Sequence, residues 1–384
     1  MRVRRQATAT PVVALLLTAM LGGCAPAPAD EVVAIALPSA EGRWGDVADT
    51  LTDGLADAGF RVDLRIADGD IPSQVRQVRE LLDAAPVALI IAPVDTGSLT
   101  AVLDDSDPGV VVVSYGTLIR DTAAVDRYVA SDAGAAGYLQ GVALLQGLGL
   151  VDDAGEPVPD APRGPFRIEL FAGSTDDPAT RPRLAGSLAA LQPYLDSRVL
   201  RIGSGETALD QVATLRGNGA TAASRLTRII REVYDGSWPD AVLAPSDEIA
   251  RAVAGSLSDA GAVPGDGFPV VTGGGAELRS LAALTDGRQY ATLLIDPRDV
   301  ARAAVAAVTR LAKPTPAPGQ FTVQNGARAV PAALIPPDAV RAGDIDSVVV
   351  GSGYWSAARV AEAIAEFALP APGPDPTPSA APGG

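Results

Sequence analysis

The stretch Val87-Ala88-Leu89-Ile90-Ile91-Ala92 decides the fold, because it is a continuous apolar run with a proline on either side. A second run, Val110-Val111-Val112-Val113-Ser114, follows directly after a glycine. Runs this short and this apolar are typical of strands that are buried on both faces. Burial on both faces is a property of parallel sheets, whose crossover helices cover them. The two runs therefore predict an α/β fold built on a parallel sheet.

Segments with strand and helix patterns alternate on both sides of these runs. Before them, strands are predicted over 31–37 and 61–66, and helices over 46–58 and 71–84. After Asp132 the alternation resumes, with strands predicted over 166–171, 197–202, 241–244, 269–272 and 290–295, and helices over 133–148, 182–195, 220–234, 248–260, 277–284 and 300–311. Two doubly wound parallel-sheet lobes in tandem are the simplest arrangement. Ligands of such sheets bind at the carboxyl ends of the strands.

The N-terminus of the chain predicts export. Three arginines within the first five residues, an apolar run over 11–21 and small residues before Cys24 are the features of a signal peptide, predicted to span 1–23. The sequence Leu21-Gly22-Gly23-Cys24 is similar to a bacterial lipobox, which makes Cys24 the predicted lipidation site. Acyl chains on Cys24 would anchor the protein to the outer face of the cell membrane. Ordinary cleavage near 25–29 is the alternative.

The composition excludes several classes of function. The chain has 384 residues, a formal net charge of −16, no histidine and one cysteine. Nucleic-acid partners need basic patches, and a charge of this sign disfavours them. Without histidine the commonest general base and the commonest metal ligand are absent. We therefore expect no histidine-dependent catalysis, no cofactor and no metal ion. The adjacent acids Asp176 and Asp177 are the remaining candidates for carboxylate catalysis, although neighbouring residues rarely converge on one bond.

Seven segments of the sequence carry a resemblance to one known family. They are 38–44 (PSAEGRW), 67–74 (ADGDIPSQ), 115–120 (YGTLIR), 168–177 (IELFAGSTDD), 193–197 (PYLDS), 241–247 (AVLAPSD) and 290–292 (YAT). In their order and spacing they are similar to the xylose-binding and multiple-sugar-binding receptors of bacterial ABC importers. Those receptors are periplasmic binding proteins of the ribose-binding type, also called type I, and are binding proteins rather than enzymes. The resemblance runs from Val33 to Tyr354.

The resemblance implies a monomeric receptor with two lobes joined by a three-stranded hinge. We expect the chain to cross between the lobes near Val129, Gly273 and Ile295. The expected division is a signal peptide over 1–23, a Pro/Ala tether over 24–30, an N-terminal lobe of 31–129 plus 273–294, a C-terminal lobe of 130–272 plus 295–366, and a disordered Pro-rich tail over 367–384. A receptor of this kind closes on a small ligand and delivers it to an ABC permease.

The family pattern also implies the positions of ligand contacts. The positions that match it are Arg43 and Trp44 in the first loop, Asp132 near the first crossing, and Asp247 after a strand of the second lobe. The family's Tyr-Asp-Arg is Tyr115-Gly116-Thr117 here, and its Gln-Asp is Gly274-Gly275. The expected ligand-binding residues are Arg43, Trp44, Tyr115, Thr117, Asp132, Arg181, Asp247 and Gly274.

The departures from the family pattern leave three interpretations open. Arginines at 181 and 183, where the family has aromatic residues, fit a different ligand such as an anionic sugar derivative in place of a neutral monosaccharide. A site that no longer binds a sugar would instead make the chain a sensor or scaffold lipoprotein. In the third interpretation the loops align differently and other side chains make the contacts. Packing in the core is the alternative role for Trp44. For Gly273-Gly274-Gly275 the alternatives are a turn or hinge, or a loop that binds a phosphate through its backbone N–H groups.

Overall fold

We describe a computed structural model in which residues 31–265, 267–311 and 321–369 are defined. The strands are β1 (Val32–Leu37), β2 (Arg61–Ile66), β3 (Ala88–Ile91), β4 (Val111–Tyr115), β5 (Val125–Ser131), β6 (Phe166–Leu170), β7 (Leu200–Ile202), β8 (Ala241–Leu243), β9 (Val270–Val271), β10 (Thr292–Leu294), β11 (Thr322–Gln324), β12 (Ala329–Ile335) and β13 (Asp338–Val340). The helices are α1 (Arg43–Asp57), α2 (Ile71–Asp83), α3 (Thr100–Asp104), α4 (Ala133–Gly147), α5 (Thr180–Asp196), α6 (Leu209–Val212), α7 (Gly219–Val233), α8 (Asp247–Asp259), α9 (Leu278–Thr285), α10 (Pro297–Leu311) and α11 (Ala357–Phe367).

The first lobe is a seven-stranded sheet with the order β11-β12-β5-β4-β3-β1-β2. Its pairings are parallel except that of β11 with β12. Alternate side chains of β1 enter two separate cores, as period-two alternation requires. Val33, Ile35 and Leu37 pack with α1 and α10, whereas Ala34 and Ala36 pack with α2 and α3. The two apolar runs are therefore central strands covered by helices on both faces, as predicted.

The second lobe contains a parallel four-stranded sheet with the order β7-β6-β8-β9. Helices α4 and α5 contribute to the core on one face of this sheet, and α7 and α8 to the core on the other. A two-stranded antiparallel ribbon of β10 and β13 adjoins it, with α9 and α11 packed in a fifth apolar cluster. The predicted architecture of two α/β lobes with parallel sheets is confirmed.

The lobe membership of two segments differs from the expected division. Residues 273–294 belong to the second lobe, because β10 pairs with β13 and Thr272 bridges Ala291. Residues 297–311 and 321–335 belong to the first lobe, because α10 buries its apolar stripe against α1 and β12 pairs with β5. The chain therefore passes between the lobes at 131–133, 294–297 and 335–338. The expected crossing at Ile295 agrees with this path, and the one at Gly273 does not.

Helices α4 and α5 make an unusually close contact through glycines. A Cβ atom on Gly137 would overlap the backbone carbonyl of Arg183, and one on Gly186 would overlap that of Gly134. A Cβ on Gly141 would lie 2.7 Å from Ala190 Cβ. Only glycine permits backbones to approach this closely. The contact fixes the position of the first turn of α5 against the middle of α4.

The predicted signal peptide, the tether, Cys24 and residues 370–384 of the predicted tail lie outside the described residues. Residues 367–369 are described, and α11 ends at Phe367. Among the described helices none combines the length and the apolar character needed to cross a membrane.

We expect Gly137→Ala to lower the free energy of unfolding by about 3 kcal/mol, because the new methyl group forces α4 and α5 apart. Gly255→Ala is the matched control, since Gly255 is exposed within α8 and its Cβ would meet nothing within 4 Å. The control should gain roughly 0.5–1 kcal/mol from the higher helix propensity of alanine. Urea unfolding followed by circular dichroism measures both. Equal effects of the two substitutions would contradict the close contact.

Candidate functional site

A cavity of about 460 Å³ opens at the carboxyl ends of β6 and β8 in the second lobe. Its volume lies within the range of about 300–1,000 Å³ that is typical of small-molecule sites. The loop 171–177 after β6 and the loop 245–246 after β8 form two of its sides. The first turn of α5 and the middle of α4 close it from behind. This is the edge of the sheet at which the fold predicts a ligand.

Among the described residues, three polar atoms of side chains that line this cavity have no hydrogen-bond partner. They are Oε1 of Gln140, Oγ1 of Thr180 and Nε of Arg183. Gln140 is 1% exposed and Thr180 is 4% exposed. A buried polar group without a partner costs about 1–3 kcal/mol, so such groups are rare unless a site uses them. Three of them around one cavity indicate a polar ligand.

Backbone carbonyls hold the Gln140 and Arg183 side chains in place. The amide nitrogen of Gln140 donates to the carbonyl of Gly273 at 2.7 Å and to that of Pro245 at 3.1 Å. Nη1 of Arg183 donates to the same Pro245 carbonyl at 2.8 Å. Burial lowers the pKa of Arg183, which the nearby Asp177 opposes by raising it. The guanidinium nevertheless stays charged, because the reference pKa of arginine exceeds about 12.

Two aromatic side chains of the first lobe lie together at the carboxyl ends of its own strands. The rings of Trp44 and Tyr115 are tilted, with centroids 6.1 Å apart, and the guanidinium of Arg43 lies 5.2 Å from the centre of the Trp44 ring. The Tyr115 hydroxyl donates to the carbonyl of Pro297 at 3.0 Å. Burial raises the pKa of Tyr115, so its hydroxyl remains protonated and is a donor. Trp44 is half-buried on the core of its lobe, which leaves part of the ring accessible.

Asp247 does not line the cavity. The residue is fully buried, and its carboxylate accepts hydrogen bonds from the Thr292 hydroxyl at 2.7 Å, the Glu277 amide at 2.9 Å and the Gln289 side chain at 3.0 Å. Desolvation raises the pKa of Asp247. Since the folded carboxyl then binds a proton more readily than the unfolded one, its contribution to stability falls as the pH rises through the interval between the two pKa values. Asp247 joins three segments of the second lobe, which differs from the predicted direct contact with a ligand.

Of the remaining predicted residues, Asp132 and Thr117 make local hydrogen bonds, and Arg181 lies on the surface. Asp132 is the N-cap of α4 and accepts from the Ala135 amide at 2.8 Å. Thr117 accepts from the Ser114 hydroxyl through its carbonyl oxygen. Arg181 is exposed and does not line the cavity, whereas Arg183, two residues further along α5, does.

Gly274 lies beside the residues that form the back of the cavity. Its carbonyl accepts from the Asp247 amide at 3.0 Å. A Cβ atom at this position would be 3.2 Å from the Gln140 amide nitrogen and 3.7 Å from Nη1 of Arg183. The residues that the sequence prediction did not select as contacts are Gln140, Thr180 and Arg183.

The described residues offer no group of acidic, histidine or cysteine side chains that could hold a metal ion. Asp176 is exposed at the rim of the cavity, and a hydrogen bond from Ser174 lowers its pKa. Asp177 is exposed as well, whereas a glycosidase acid needs an apolar environment that raises its pKa, so the Asp176–Asp177 pair does not fit that chemistry.

Two α/β lobes joined by three crossings, with polar groups facing a cavity at the ends of the strands, define a small-molecule binding protein. The chain belongs to the periplasmic binding protein family, because the family's "Periplasmic binding protein domain" model matches residues 33–315. This match and the relatives below confirm the resemblance found in the sequence, and they confirm a binding protein rather than an enzyme.

Two relatives are similar over most of the chain. The multiple sugar-binding periplasmic protein of Azospirillum brasilense is 37% identical over 331 residues, which cover 85% of this chain and 90% of the relative. The multiple sugar-binding periplasmic receptor of Rhizobium radiobacter is 36% identical over 330 residues, covering 85% and 91%. Among solved structures, an ABC transporter solute-binding protein from Clostridium phytofermentans with bound β-D-glucose is 30% identical, with a TM-score of 0.68 over 86% of this chain and 100% of that one.

We expect Asp247→Ala to lower the free energy of unfolding by at least about 2 kcal/mol, because it removes the acceptor of three hydrogen bonds, two of which come from buried side chains. Asp259→Ala is the control, since Asp259 is exposed at the other end of the same helix and should change stability by less than about 0.5 kcal/mol. Thermal and urea unfolding measure the difference. A fully stable Asp247→Ala variant would show that the carboxylate does not join these segments.

Proposed function

We propose that the protein is the substrate-binding receptor of an ABC importer and that it binds one small polyhydroxylated ligand of the monosaccharide class. The observation that carries this proposal is the set of three unpartnered polar atoms, on Gln140, Thr180 and Arg183, around one cavity. An amide oxygen, a hydroxyl and a guanidinium are the groups that hydrogen-bond sugar hydroxyls. The relatives named for sugar binding support the same ligand class.

Binding would use both lobes. The cavity on the second lobe supplies hydrogen bonds, and the first lobe supplies Trp44, on whose accessible face the apolar side of a sugar ring can lie, together with Arg43 and Tyr115. The three crossings at 131–133, 294–297 and 335–338 would act as the hinge about which the lobes close. Closure on the ligand would produce the form that a permease recognises.

Export and anchoring belong to the same proposal. Residues 1–23 would direct secretion, Cys24 would carry the lipid, and 24–30 would hold the lobes away from the membrane. We propose that the mature protein is a monomer on the outer face of the cell membrane and that it meets its permease there. Mass spectrometry of Cys24 in the mature protein tests the anchor directly.

A sensor or scaffold without a sugar ligand is the second candidate. The observation that favours it is the glycines at 116, 274 and 275, where the family pattern has two acids and a glutamine. The buried Asp247 is also unavailable as a contact. A protein of this kind would not respond to any small ligand.

Thermal unfolding of the purified protein against pentoses, hexoses, polyols and sugar acids separates the two candidates. A ligand at 100 times its Kd should stabilise the folded state by roughly 2.7 kcal/mol, which raises the Tm by several degrees. Calorimetry with the ligand found then gives the affinity. An unchanged Tm with every compound of the panel would reject the receptor proposal and favour the scaffold.

We expect Trp44→Ala to weaken ligand binding at least about tenfold, because it removes the ring face that packs on the sugar. Trp44→Phe keeps an aromatic face and should bind within a few-fold of the wild type. Calorimetric Kd values measure both, with circular dichroism as the check on folding. Unchanged affinity in Trp44→Ala would place the ligand away from the first lobe.

A further inference from the structure

Three partly buried arginines of this chain use the same edge of the guanidinium to bind a carboxylate. Nε and Nη2 of Arg288 donate to Asp286 at 2.8 and 2.6 Å, and those of Arg298 donate to Asp296 at 3.0 and 2.6 Å. The same two atoms of Arg225 donate to Glu206 at 2.9 and 2.7 Å. This edge presents two parallel N–H groups, whose spacing matches the two oxygens of a carboxylate.

Arg183 is partly buried as well, but its carboxylate-binding edge has no partner among the described residues. Only Nη1 is used, in the hydrogen bond to the Pro245 carbonyl. Among the described residues, Nε is buried and unpartnered, Nη2 makes no hydrogen bond, and no carboxylate oxygen lies within 4 Å of the guanidinium. Arg183 lines the cavity, so a charged two-pronged donor without a carboxylate partner lies in the wall of the candidate site.

The first turn of α5 lies at the same part of the cavity. Its N-cap, Ala179, makes no side-chain cap, and both Ala179 and Thr180 line the cavity. The N-terminal end of a helix dipole favours an anion, and the Asp177 carboxylate occupies part of this end. The Thr180 hydroxyl, 4% exposed and without a partner, lies at the same place.

Asp177 lies near enough to Arg183 to raise the pKa of its guanidinium, but among the described residues the two make no ion pair. Asp176 and Asp177 are exposed on the rim, where water screens their charge. Asp177 accepts from the Ala179 amide at 2.9 Å, which ties its carboxylate to its own loop. The unpartnered oxygen of Gln140 lies deeper and requires a donor such as a hydroxyl.

We propose that Arg183 determines specificity and that the ligand is a sugar acid, whose carboxylate takes the Nε and Nη2 edge of Arg183 while its hydroxyls meet Gln140 and Thr180. This inference rests on the proposed receptor function and names the ligand class of the same site. A neutral sugar would leave the paired donors of Arg183 with weaker, uncharged acceptors.

Titration calorimetry of the protein from residue 24 to 384 tests the proposal. It compares neutral sugars with the matching acids: glucose with glucuronate and gluconate, and galactose with galacturonate. We expect each acid to bind at least about tenfold more tightly than its neutral partner, since charge-assisted hydrogen bonds are roughly twice as strong as neutral ones. Neutral sugars that bind as tightly as the acids would overturn the proposal and leave the receptor function standing. Binding of neither class would overturn both.

Variants of α5 separate charge recognition from folding. Arg183→Gln should lower the affinity for the acid at least about tenfold more than the affinity for the neutral sugar, and Arg183→Lys should restore part of the preference. Arg181→Gln removes the same charge from an exposed position two residues away and should leave the preference unchanged. An acid preference that survives Arg183→Gln, or one that is lost in Arg181→Gln, would contradict the assignment to Arg183.

Discussion

The close backbone contact between α4 and α5 is the constraint on which the candidate site depends. Because Gly137 and Gly186 carry no side chain, the first turn of α5 lies directly against α4. This brings Arg183 of one helix and Gln140 of the other to the same carbonyl, that of Pro245. A larger separation of the helices would leave the two side chains on different surfaces. The polar wall of the cavity is thus a consequence of glycine spacing in the helices.

Local patterns predicted the elements well and their partners less well. The apolar runs around Leu89 and Val112 become central strands because both faces of a parallel sheet are covered, and the sequence records this directly. The lobe to which α10 belongs depends on the sheet against which its apolar stripe packs. The stripe is compatible with the sheet of either lobe, so the sequence pattern does not predict the lobe. The pairing of Thr292–Leu294 with Asp338–Val340 joins segments that are distant in sequence. The hydrophobic periodicity of a single segment carries no information about such a pairing.

The candidate residues were partly predictable, for reasons that differ between the two lobes. Arg43, Trp44 and Tyr115 follow a resemblance in the loops of the first lobe, and the structure brings them together. On α5, the choice between Arg181 and Arg183 depends on helix phase, because positions two apart point in nearly opposite directions. The packing of Gly186 against α4 sets that phase. Gln140 did carry a signal, as a polar residue within a largely apolar helical segment.

Gly274 shows how a missing side chain can accompany a gained one. A Cβ atom there would lie 3.0 Å from the Pro245 carbonyl and 3.2 Å from the Gln140 amide nitrogen, the atoms that hold the back of the cavity. A longer side chain would compete with Gln140 and Arg183 for the same space. Seen only in sequence, Gly274 is the loss of a polar contact expected from the family pattern. In the folded protein the absence of a side chain at Gly274 leaves room for the guanidinium of Arg183. A polar group on α5 therefore lies where the family pattern has one at position 274.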